Sequence, residues 1–176
     1  GQRVALVSDA GAPGVSDPGA RVVRSVSQAG FRVVPLPGPS AVITALMASG
    51  ATSDENPAFV FAGFVPPKSV ARRRWLTQWC ALPAPVVMYE SPHRLSACIA
   101  DLVQVCGPQR VLTIARELTK RFEQIHTSPL GQTMAWLNQD THRQQGEFVL
   151  IVHEAPVTVA PDDGLPPEAL SLLAAL

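Results

Sequence analysis

Residues 4–7, VALV, form an apolar run with no polar alternation, and SDAGAPGVSDPG follows at once. An unbroken apolar run is what a strand buried on both faces of a parallel sheet requires. Asp17 can then cap a helix with Pro18 in its first turn. Val22, Val23 and Val26 give that helix an apolar stripe, and Gly30 ends it. FRVVPL (31–36) reads as a second strand, PGPS as a second loop, and about 40–49 as a second helix ended by Gly50. This strand–loop–helix repetition predicts an α/β fold with a parallel sheet, in which ligands sit beyond the carboxyl ends of the strands. An open sheet of only two strands would leave bare edges, so further strands outside these residues, or from another chain, are expected to complete it.

The polar segment ATSDENP (51–57) marks a boundary. The reading is residues 1–53 as the second half of a first α/β domain, 54–154 as a second α/β domain with a mixed sheet, and 155–176 as a Pro- and Asp-rich linker with a short helix near Glu168. Within the second unit, strands are predicted over 58–62, 85–89, 110–115, 121–126 and 147–152. Helices are predicted around Arg72–Trp79, over 92–105 with Gly107 closing it, and from Ser128-Pro129 through Trp136.

Hydrophobic residues make up 47% of the 176 and charged residues 16%, which suits a packed core and not a disordered chain. With a formal net charge of +0, nucleic acid can be bound only through a local patch. No signal peptide is visible, and no apolar run approaches the ~20 residues of a membrane span. The expectation is a cytoplasmic protein without a membrane partner. Cys80, Cys98 and Cys106 lack metal spacing and read as buried thiols of a reducing compartment. Four scattered histidines, His93, His126, His142 and His153, do not make a metal site.

Residues 7–19 have neither the GxGxxG spacing of a dinucleotide loop nor the lysine of a P-loop. They contain Asp9 and Asp17 but no Lys or Arg. A polyphosphate would meet uncompensated carboxylates there, so the loop suits a ligand that carries positive charge or hydroxyls. S-adenosylmethionine, with its sulfonium, amino group and ribose, has both. The alternative is a turn-rich connector in which Asp17 only caps a helix.

Six blocks in order, SDAGAPGVSDPG, VVPLPGPSAVITALMASG, FAGFVPPKSVARRR, YESPHR, ARELTK and GEFVLIV, resemble the bacterial small-subunit (16S) ribosomal RNA 2′-O-methyltransferases of the tetrapyrrole methylase superfamily. The resemblance covers about residues 3–154. The family's amino-terminal segment, with its own cofactor loop, has no counterpart in these residues. What the resemblance implies is two α/β domains with S-adenosylmethionine in the cleft between them. It also implies a homodimer, and methylation of the ribose 2′-oxygen of a cytidine in the decoding region of the small subunit. In-line transfer from sulfonium to oxygen needs no metal, because the leaving group is already activated. Carried over by position, the cofactor-binding candidates are Ser8, Asp9, Ala12, Ser40, Ala41, Tyr89, Glu90 and Leu118, with the last two acting through backbone.

The densest basic cluster is Lys68, Arg72, Arg73 and Arg74. On a helix, residues 72–74 fan over about 200°, so they do not share one face. Trp75 and Trp79, at i and i+4, are expected to pack inward. With the resemblance, Lys68, Arg72, Arg73, Arg74, Arg94 and Arg116 become candidates for RNA phosphate contact. The catalytic group stays open among His93, Glu90, Glu117 and Lys120: a base for the hydroxyl, or a charge to steady the alkoxide. Structural ion pairs are the competing explanation for each. Two rival functions remain: a porphyrin or corrin C-methyltransferase on the same fold, and a non-catalytic RNA- or protein-binding segment.

Overall fold

A computed structural model describes residues 2–9 and 11–155. The expected linker beyond Ala155 and the helix near Glu168 lie outside the described residues. The chain runs α1 (Ala20–Gln28), α2 (Ala41–Met47), β1 (Val60–Phe64), α3 (Ser69–Trp79), β2 (Val86–Glu90), α4 (Leu95–Cys106), β3 (Val111–Arg116), β4 (Gln124–Pro129), α5 (Leu130–Asn138) and β5 (Phe148–Val152). One-turn 3₁₀ helices precede α4 (Pro92–Arg94) and β5 (Thr141–Gln144).

The five strands form one mixed sheet in the order β1-β2-β5-β3-β4. β1 runs parallel to β2; the other pairings are antiparallel. β5 is the middle strand, and its five residues FVLIV are all buried. Alternation sends Phe148, Leu150 and Val152 into a core with α3, α4 and α5, and Val149 and Ile151 into a smaller core with α2. α4 builds the larger core from Leu95, Cys98, Ile99 and Leu102, an i, i+3, i+4, i+7 stripe that is fully buried. Gly107, at φ 83, lets the chain leave that helix in a conformation that other residues resist.

The strands expected over 4–7 and 31–36 do not form. A parallel strand exists only through its ladder, and among the described residues neither segment has a strand beside it. Val4, Val7 and Leu36 are 90%, 83% and 87% exposed. The helices that follow them do form, yet α1 buries no residue and its Val22 and Val23 stay exposed. β4 lies three residues later than the sequence suggests. Lys120–Glu123 closes a turn, with Glu123 N–H donating to the Lys120 carbonyl at 3.2 Å, so pairing starts at Gln124 opposite Arg116.

Candidate functional site

The carboxyl ends of β1, β2 and β3 lie at one edge of the sheet, because β5 runs against both β2 and β3. On the α2 face of that edge, Ala41, Tyr89 and Leu118 join one apolar cluster with Phe61 and Leu46. Three cofactor candidates from separate parts of the chain thus meet. The Tyr89 ring is wedged between Phe61 and Phe64, at 5.0 and 5.2 Å between centroids, both edge-on. That wedge depends on a bulge. The β1–β2 register slips between Phe61 and Gly63, and Gly63 sits at φ 81. The slip puts Phe64 on the same face as Phe61; regular alternation would put them on opposite faces.

The first loop also reaches this edge. Burial raises the Tyr89 hydroxyl above its ordinary value, and the Asp17 carboxylate adds to the effect, so Asp17 lies within electrostatic reach. Ser8 Oγ donates to the Gly11 carbonyl at 3.2 Å, Asp9 and Ala12 are exposed, and half-buried Ser40 is the N-cap of α2. At Gly19, φ is 134 and an added Cβ would lie 2.8 Å from Leu6 Cδ2, so the chain there needs glycine. Strain also marks the third segment: Glu117 and Thr119, on either side of Leu118, hold positive φ of 50° and 64°.

The Glu90 side chain does not join this group. It follows Tyr89 in the strand, so it points to the opposite face, where it is fully buried. Its Oε1 accepts from Ser91 N–H at 2.7 Å and from Arg94 Nε at 2.9 Å. Oε2 and the neighbouring Ser91 Oγ are buried with no hydrogen-bond partner among the described residues. Burial, and then the Glu90 charge, push the Cys98 thiol up. Glu90 is therefore an anchor for the turn carrying Arg94. Arg94, one-third exposed, is tied to that anchor.

Of the remaining catalytic candidates, Lys120 bridges Glu117 at 2.9 Å and Glu147 at 2.6 Å. The hydrogen bonds that Lys120 donates to Glu147 and Glu117 raise its ammonium, and Lys120 in turn lowers Glu117, so both stay charged. His93 is exposed in the 3₁₀ turn that Glu90 and Arg94 brace.

The basic cluster divides. Arg72 is 4% exposed, and its Nε donates to Asp101 Oδ2 at 2.6 Å, joining α3 to α4. Ser69 Oγ donates to the same carboxylate at 3.0 Å, and Arg73 NH1 reaches it at 3.4 Å. Arg72 is thus a core ion pair and offers nothing to a phosphate. Arg116 is corrected likewise: at 7% exposure its guanidinium donates to the carbonyls of Gln145 and Phe122 and to Gln124 Oε1, clasping the start of β4. Lys68 and Arg74 are exposed, and no ion pair to either exists among the described residues. They line a cavity of about 640 Å³ with Pro66, Val70, Trp75 and Gln78. Trp75 and Trp79 do pack on the core, 5.8 Å apart, but half-buried Trp75 also forms a wall of this groove.

Among the described residues no cluster of His, Cys, Asp and Glu could hold a metal, and no helix is long and apolar enough to cross a membrane.

A protein-family model described as Tetrapyrrole (Corrin/Porphyrin) Methylases matches residues 1–133. Among curated proteins, Ribosomal RNA small subunit methyltransferase I of Escherichia coli O157:H7 is 48% identical over 178 residues, which is 100% of this chain and 59% of that protein. The protein of the same name from Vibrio cholerae serotype O1 is 47% identical over 176 residues, again 100% and 59%. That of Neisseria meningitidis serogroup B is 44% identical over 155 residues, 88% and 52%. The chain thus spans little more than half the length of these relatives. Among solved structures, the methyltransferase CobJ gives a TM-score of 0.57 at 20% identity, covering 82% of this chain and 62% of that one. The uroporphyrin-III C-methyl transferase from Thermus thermophilus, complexed with S-adenyl homocysteine, gives 0.52 at 14% identity, covering 81% and 62%. Likeness at such identities establishes the fold.

Proposed function

This chain belongs to the tetrapyrrole (corrin/porphyrin) methylase family, and on that footing we propose that it is part of an S-adenosylmethionine-dependent methyltransferase acting on small-subunit ribosomal RNA. The target is the 2′-oxygen of a cytidine ribose. One observation carries the RNA reading over a porphyrin or corrin substrate. The relatives at 44–48% identity are named as ribosomal RNA methyltransferases, whereas the structures of corrin and porphyrin enzymes share 20% identity or less.

The residues present fit the cofactor. Tyr89, Ala41 and Leu118 form a half-buried aromatic and apolar shelf suited to an adenine ring. Asp17 brings negative charge to the same edge, and residues 7–19, which also hold Asp9, contain no cation. The backbone of Glu90 and the Ser8, Ala12 and Ser40 positions complete the set. The bound cofactor supplies a sulfonium-activated methyl group. This chain's part is to fix positions: the Phe61–Tyr89–Phe64 wedge sets the shelf, and the strained 117–119 turn sets Leu118 beneath it. His93 is the base we assign. Glu90, Glu117 and Lys120 are committed to ion pairs, while the exposed His93 imidazole can accept the ribose hydroxyl proton. Lys68 and Arg74, with Trp75, form the RNA-facing groove; Arg73 and Arg94 lie beside it or at the site's rim. The protein works as a cytoplasmic homodimer in this reading.

The test is methylation of small ribosomal subunits by the full-length protein with methyl-labelled cofactor, followed by mapping of the modified nucleotide. Label on a cytidine 2′-oxygen is expected. Label on a base, or transfer to a tetrapyrrole and not to RNA, would overturn the reading.

A further inference from the structure

We propose that a second cavity, of about 460 Å³ between β4 and α5, is a further RNA contact that takes one unstacked nucleobase against the His126–Trp136 ring stack. The proposal rests on the RNA reading above. The two rings lie 4.1 Å apart and 3° from parallel, so a stacking platform exists before any ligand arrives. A third base-like plane can extend such a stack, and base–aromatic stacking is the main attraction that single-stranded RNA offers a protein. Arg143 lies over the Trp136 ring, so the face offered to a base is that of His126. Its guanidinium carbon is 4.6 Å from the Trp136 ring centre, and NH1 donates to the Trp136 carbonyl at 2.8 Å and to Gln139 Oε1 at 3.0 Å.

The rim has the chemistry of a base edge. Gln132 and Gln139 contribute amides and Ser128 a hydroxyl, which both donate and accept. Among the described residues no carboxylate lines the cavity, and no strand lies on the outer side of β4. Burial, helped by the Arg143 charge, holds the His126 imidazole below its ordinary value. At neutral pH it is an uncharged aromatic face, suited to a base more than to a phosphate.

The placement also fits one strand of RNA. α4 lies between α3 and α5 and packs on both. At 8–10 Å between neighbouring axes, the Trp75 groove and the Trp136 cavity are roughly 20 Å apart across the same helical layer. A strand anchored by its phosphates at Lys68 and Arg74 can cross this layer and place a base on His126.

The experiment measures binding of a fluorescein-labelled ten-nucleotide oligocytidylate RNA to the full-length protein over a series of salt concentrations. His126→Ala should weaken binding at least about 5-fold while leaving the salt slope unchanged, and His126→Phe should restore it. Lys68→Ala with Arg74→Ala should instead reduce the slope, by about 0.7 for each phosphate no longer neutralised. Binding by His126→Ala within twofold of the parent, with the Lys68/Arg74 variant impaired, would overturn the cavity and leave the RNA reading standing. Equal weakening by His126→Ala and His126→Phe at unchanged melting temperature would also overturn it. Failure of the parent protein to bind either the oligonucleotide or small-subunit RNA would overturn both.

Discussion

Replacing Asp101 by Ala in the full-length protein should cost about 3–5 kcal/mol of folding stability, the range for removing one partner of a buried ion pair. The size follows from the surroundings. Arg72 is 4% exposed, and among the described residues it would keep just one hydrogen bond, from NH1 to the Pro67 carbonyl at 3.3 Å, so the missing carboxylate is poorly replaced. Ser69 is deprived of its acceptor as well, and α3 of its polar link to α4. With a urea slope near 2 kcal/mol per molar, the midpoint should fall by about 2 M. Trp75 and Trp79 on α3 report the transition by fluorescence. Arg74→Ala, at an exposed position on the same helix, should shift stability by less than about 0.5 kcal/mol. The double variant Arg72→Met, Asp101→Leu should recover most of the loss, because apolar residues of similar volume replace buried ion pairs well. A loss below about 1 kcal/mol for Asp101→Ala would refute the assignment of Arg72 to the core.

Charge reversal at Lys68 and Arg74 should weaken binding of small-subunit RNA with little effect on cofactor affinity; filter binding and calorimetry check the two separately, and equal losses would indicate misfolding. Asp9→Ala should weaken S-adenosylmethionine binding about fivefold, the value of one exposed charge at close range, as read by calorimetric titration. Acid stability should depend on Asp101. Burial alone would raise its carboxyl, but hydrogen bonds from Arg72 and Ser69 prevail and hold it below the usual range. A folded value below the unfolded one means that its contribution is complete above about pH 4 and is lost as pH falls further. Melting temperatures of Asp101→Asn should therefore be flatter than the parent's between about pH 5 and pH 2.

The second α/β unit is legible because its signals are local. EFVLIV has no polar residue after Glu147 and becomes the doubly covered β5; the α4 stripe and Gly107 mark a helix and its stop. VALV carries an equally good strand signal and fails, since apolarity cannot supply a neighbouring strand. The fan of Arg72, Arg73 and Arg74 already implies different faces, but Asp101, which decides the fate of Arg72, lies 29 residues away. Arg116 reads as rim charge because its partners are backbone carbonyls, which a sequence does not display. Alternation from Tyr89 is enough to turn Glu90 away from the apolar shelf around Tyr89. The shelf's third ring, Phe64, needs the bulge at Gly63; the lone glycine in FAGF permits such a slip but does not by itself fix the register.

The middle strand of the sheet is also the last of its five strands in chain order. On the ribosome, β1–β2 and β3–β4 emerge as two separate ribbons, and nothing in the sheet joins them until residues 148–152 leave the exit tunnel. Until then Val87, Met88, Ile114 and Ala115, all fully buried in the end, border unpaired strand edges. A nascent chain that stops before Phe148 therefore carries two ribbons with unpaired inner edges, the kind of surface from which aggregation starts.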